Sequence, residues 1–142
     1  MILVDEGHGA DLLAGVGEAF PAEVEFVISA LEAGPRPTAD RQKVKRTVYR
    51  VRAAIRLFSD PHETPATLLY TRHVNPQAVG FLTNRRLPLS HGGILYIPSP
   101  DQQKVMQIYC TVLRCREAAP GWYEGAAYFN RQQNVFAAER LG

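Results

Sequence analysis

The stretch Arg46-Thr47-Val48-Tyr49-Arg50-Val51-Arg52-Ala53-Ala54-Ile55-Arg56-Leu57 is where the chain changes period. Val51, Ala53, Ile55 and Leu57 fall on one side, and Arg50, Arg52 and Arg56 on the other. Alternation at every second residue predicts a strand with one buried and one wet face. Downstream, the same kind of segment recurs. Strands are expected over 67–74, 78–82, 94–97, 105–116 and 122–129. Turns are expected at Ser59-Asp60-Pro61-His62, Leu87-Pro88, His91-Gly92-Gly93 and Pro98-Ser99-Pro100-Asp101. Six strands without intervening helices predict a mostly β fold, a closed or nearly closed antiparallel barrel.

Upstream the period is helical. Leu12, Leu13 and Val16 make a short apolar stripe. Pro21 suits a first helical position, and Glu23 and Glu25 suit the opening turn. Val24, Val27, Ile28 and Leu31 then recur at three- and four-residue spacing, and Gly34 can stop the helix. Residues 1–34 thus read as an N-terminal helical appendage, 35–45 as a linker broken by Pro35 and Pro37, and 46–142 as the barrel domain. Val24, Val27, Ile28 and Leu31 are expected to cover one end of the barrel. The tail from Asn130 onward reads either as a short C-terminal helix on the barrel or as an edge contact between subunits.

The chain of 142 residues is 46% hydrophobic, enough for one packed core. Its net charge of +2 is too small to imply a nucleic-acid polymer as partner. The basic residues are concentrated, however. Arg36, Arg41, Lys43, Lys45, Arg46, Arg50, Arg52 and Arg56 lie close together, with Asp40 the one acid among them. Such a run attracts anions. The opening residues show neither a basic leader nor a long apolar run, so no membrane partner is expected and the cytoplasm is. Cys110 and Cys115 are five apart on a strand, which sends them to opposite faces and makes them a poor disulfide or metal pair. No catalytic residue is expected. No Ser occupies a nucleophile elbow, no Lys-Ser or Lys-Thr phosphate loop occurs, and His8, His62, His73 and His91 lack metal-ligand spacing. No cofactor or metal is expected either.

Arg46 and Arg50 sit where the linker enters the first strand, and two guanidiniums there could converge on one anionic ligand. Residues 41–129 resemble the PilZ family of small six-stranded barrels, many of which bind cyclic di-GMP. Arg46-x-x-x-Arg50 resembles the family's opening Arg-x-x-x-Arg. Val112-Leu113-Arg114-Cys115-Arg116, then Gly121-Trp122-Tyr123-Glu124 and Phe129, resemble its late hairpin. The family's Asp/Asn-x-Ser-x-x-Gly motif is matched by His73, Asn75 and Ala78, all three altered. A rival register starts on Asn75, ends on Gly80 and leaves Gln77 for the Ser.

The resemblance implies a cyclic di-GMP site formed by Arg46, Arg50, His73, Asn75 and Ala78, with Arg72 as a further phosphate or base contact. The altered motif bears on this. A carboxylate can accept from both N–H donors on guanine's Watson–Crick edge, whereas a neutral imidazole offers one acceptor. A positive φ at position 78 would cost Ala ~1–2 kcal/mol. Two functions follow, a ligand-responsive receptor or a scaffold that has lost the ligand and docks a protein partner or a second copy through residues 8–33. A single-strand nucleic-acid barrel is disfavoured, because Tyr49, Tyr70 and Tyr109 are dispersed.

Overall fold

In the computed structural model, Leu12, residues 19–33 and residues 46–137 are described. The expected linker at 35–45, most of the helical reading before residue 19 and the tail beyond residue 137 lie outside them. The fold is mostly β. Helix α1 (Ala22–Ala33) precedes strands β1 (Thr47–Val48), β2 (Arg52–Leu57), β3 (Thr67–Val74), β4 (Ala78–Thr83), β5 (Gly92–Pro98), β6 (Val105–Ala119) and β7 (Trp122–Phe129). The strand order is β1-β3-β2-β5-β6-β7-β4, and β3 also pairs with β4, which closes β2 to β7 into a six-stranded barrel. Every pairing is antiparallel.

The expected strands all form, with shifted ends. Arg50 and Val51 lie outside the ladder, and β1 is an additional short strand pairing Thr47 with Val74 and Val48 with His73. The interior follows the period-two reading. Val51, Ala53, Ile55 and Leu57 pack with Leu69, Val79, Phe81, Leu95, Ile97 and Val112 in one buried cluster. Gly125 is required there, since a Cβ on it would come 2.6 Å from Phe81 Cε1. Within the described residues the tail contributes a short 3-10 turn, Asn134–Phe136. It buries Phe136 against Tyr49 and Phe129, with ring centroids 5.6 and 5.8 Å away. The Tyr49 hydroxyl donates to the Pro98 carbonyl at 2.6 Å, and burial pushes its pKa up to about 12.

Two sequence expectations are corrected. Cys110 and Cys115 do not face opposite ways, since both are buried in the interior cluster. The register of β6 against β7 shifts between Val112 and Arg114, and this bulge resets the alternation. The arginine face of β2 is also not simply wet. Ala54 is buried with Leu12 and Tyr96, and Arg52 lies over the rings of Phe20 and Tyr70 at 5.7 and 5.8 Å.

That outer face is covered by the N-terminal segment. Val24, Val27 and Ile28 of α1 join Phe20, Tyr70 and Leu82 in a second apolar cluster, with Leu31 and Trp122 packed against it. Phe20 meets Tyr70 edge-on at 5.0 Å. The predicted helix face is therefore the buried one. It rests on the barrel's outer wall beside the β6–β7 hairpin rather than over an end.

Candidate functional site

The two motif arginines part company. Arg46 turns towards β3, where its Nη1 lies 3.3 Å from His73 Nε2. Arg50 turns towards α1, where it pairs with Glu25 and stacks 4.9 Å from the centre of the Phe20 ring. Four residues of spacing thus do not converge on one point. One guanidinium faces the β3–β4 hairpin and the other fastens the helix.

His73, Asn75 and Ala78 do come together, because β3 and β4 form a tight hairpin around them. The Asn75 N–H donates to the Ala78 carbonyl at 3.0 Å. Asn75 Oδ1 accepts from the backbone N–H groups of Gln77 and Ala78 at 2.7 and 2.9 Å. Asn75 therefore closes the turn with the atom that a ligand would otherwise use. Ala78 opens β4, paired with Tyr128, and is not among the residues of positive φ, so it carries no left-handed strain.

The glycine need lies two residues on. The His73 ring packs against Gly80, with its Cε1 nearest, and leaves no room for a Cβ there. His73 pairs with Gly80, Gly80 with Ala126, and Ala126 with Arg114, so these four form one row across β3, β4, β7 and β6. The middle of that row is floored by the two smallest side chains. The register shift between Thr71 and His73 places Arg72 beside it.

Beneath the row lies a carboxylate that sequence reasoning left without a role. Glu124 is 4% exposed by its side chain and is surrounded by guanidiniums. Arg114 binds it through two nitrogens, Nε at 3.1 Å from Oε1 and Nη2 on Oε2. Arg116 Nε donates to Oε1 at 3.0 Å, and Arg72 Nη1 lies 3.5 Å from Oε2. Burial opposes the charge on Glu124, but the bonds and charges of Arg114 and Arg116 outweigh it and hold the carboxyl below its ordinary range. Burial lowers the pKa of Arg72, with the Glu124 charge acting against that shift. Burial, then the charges of Arg46, Arg72 and Arg114, pushes His73 down to about 4, so the imidazole is neutral near pH 7. Counting across the hairpin could have found this cluster, since Arg116 and Glu124 face each other over the Pro120-Gly121 turn.

Three arginines on Glu124, with Arg46 on His73 and the charge of Glu32 also reaching Arg72, leave a net positive surface, suited to phosphate or another anion. The surface is open. Two shallow depressions lie elsewhere, one bordered by Tyr109, Asn130 and Gln133 and the other by Ser99, Asp101 and Met106. Among the described residues no three His, Cys, Asp or Glu side chains gather as a metal group, and no helix is long and apolar enough to cross a membrane. No family model matches this chain, and neither the curated proteins nor the solved structures offer a match.

Proposed function

We propose that the protein is a cytoplasmic, non-enzymatic receptor of the PilZ type. Its ligand is an anionic nucleotide of the cyclic di-GMP class, bound on the barrel's outer wall beside Arg46, Arg72 and His73. The observation that carries this reading is the excess of positive charge on that wall, where Arg72, Arg114 and Arg116 meet Glu124 and Arg46 lies against His73. Phosphates would meet the guanidiniums. Arg50 could join the ligand by exchanging Glu25 for a phosphate, which would loosen α1 and supply an output.

Isothermal titration with cyclic di-GMP at physiological salt is the test. Micromolar or tighter binding is expected, and Arg46→Ala should weaken it ~10- to 100-fold, the effect of a lost charge-assisted hydrogen bond. A folded protein that gives no heat at high ligand concentration would overturn the reading.

A second reading is the scaffold. It is favoured by the engagement of Arg50 with α1 and by Phe26, which stands 76% exposed on that helix. A scaffold of this kind would associate through the outer face of α1. Sedimentation at rising concentration would then detect the complex, and Phe26→Ser would remove it.

A further inference from the structure

Strand β6 sends Ile108, Cys110 and Val112 into the core, and the residues between them face outward. Tyr109, Thr111 and Leu113 therefore lie on the barrel's outer side. Leu113 is the extra residue of the bulge between Val112 and Arg114, so no residue of β7 pairs with it. Thr111 continues a row across three strands, pairing with Gly92 on β5 and with Tyr128 on β7. The Phe58 ring lies beside Gly92 and meets the Tyr109 ring at 6.0 Å between centroids. Phe58, Tyr109, Leu113 and Tyr128 are 64, 62, 56 and 43% exposed. Arg56, Arg114 and Arg131 stand at the margin of this group rather than within it.

We propose that this outer face of β5, β6 and β7 is an isologous interface, and that its occupant is the same face of a second copy of this chain. Area supports the assignment. With ~200 Å² for a whole aromatic side chain and somewhat less for leucine, the four expose roughly 450 Å². A standard interface takes ~800 Å² from each partner, a little over half of it apolar, so the patch matches the apolar share of one such interface. Shape supports it as well. Tyr109, Leu113 and Tyr128 lie on the strands themselves and not on a projecting loop, which suits packing on another sheet. The pattern is also self-complementary. A two-fold axis lying between the two sheets at Thr111 sets Tyr109 of each copy against Leu113 of the other. It also sends the two Arg114 ends to opposite ends of the interface. This face is separate from the seat of α1, so helix docking and dimer formation do not compete.

The experiment is analytical ultracentrifugation of the full chain at rising concentration. Dimers are expected with a dissociation constant in the micromolar range, about 1–100 µM. The association should hold or tighten in about 0.5 M sodium chloride, because the margin is basic and the contact apolar. Tyr109→Lys and Leu113→Asp should each weaken it at least about tenfold, with unchanged circular dichroism, since both side chains are exposed. Mixing those two variants should restore a dimer, because the arrangement brings the new lysine against the new aspartate. Phe26→Ser should leave the association unchanged. Dimers that survive Leu113→Asp, or that Phe26→Ser removes, would overturn the proposal and place the contact elsewhere. Failure of the mixture to associate would overturn the two-fold arrangement. A chain monomeric to about 200 µM would overturn the proposal outright. If that monomer bound phosphatidylglycerol vesicles and Leu113→Asp did not, the face would belong to a lipid surface.

Discussion

Two carboxylates of the barrel, Asp60 and the buried Glu124, are treated differently by their surroundings. Asp60 faces one arginine, with Arg85 Nη2 at 2.7 Å from Oδ1, and also caps the Leu57 N–H at 3.0 Å. The hydrogen bond from Arg85 holds its carboxyl below the ordinary value against the opposing effect of burial. One arginine is bonded there, with the charge of Arg56 also near, and the turn after β2 is closed by the carboxylate. Glu124 faces three arginines, with Arg46 close by through His73. A matched pair fixes a loop. An overmatched carboxylate fixes several arginines at once and leaves positive charge over, which is how a rigid wall can be made to attract an anion without flexible lysines.

The strongest way to break this contrast is to remove the carboxylates. Glu124→Ala should lower stability by about 3–4 kcal/mol in urea unfolding, because it strands Arg72, which is largely buried, among like charges. Asp60→Ala should cost about 2 kcal/mol, since Arg85 is more exposed and can turn to water. A larger loss at Asp60 than at Glu124 would invert the comparison. Acid should act in the same direction. Folded His73 has its pKa at about 4 and unfolded His near 6.5, so the unfolded chain binds more protons between those values. Stability therefore falls as pH drops from 6.5 towards 4, by about 2 kcal/mol from this group. His73→Gln should flatten that part of the curve, while the loss from Glu124 continues at lower pH. Gly80→Ala should cost about 1–2 kcal/mol and displace the imidazole, visible as a shifted His73 ring resonance. Smallest of all, Arg46→Ala should change stability by less than about 0.5 kcal/mol, because its side chain is exposed, and so should separate binding from folding.

The barrel was readable because its interior obeys one rule. Each of Val51, Ala53, Ile55 and Leu57 had to face the same way, and the strand that holds them could hardly be anything else. The outer wall obeys no such rule. Whether Arg72 and His73 share a face depends on a register shift, and whether Cys115 faces inward depends on another. Nothing local announces either bulge. The hairpin turn set the distance between Arg116 and Glu124, so that pair was countable. Its meeting with Arg72 required knowing that β4 lies between β3 and β7. Arg46 and Arg50 looked like a clamp because spacing ignores Glu25 and Phe20, which reach Arg50 from an element far away in the fold.

Helix α1 precedes every strand of the barrel, yet the surface it rests on is assembled from Tyr70, Leu82 and Trp122. A ribosome delivering this chain releases the helix long before its seat exists. Val24, Val27 and Ile28 then wait in water, or in the grasp of a chaperone, until β7 emerges and the ring can close. The same late strand carries Glu124, so helix docking and the ordering of the arginines are completed by one event. During synthesis, the anion-attracting wall and the cover beside it come into being together.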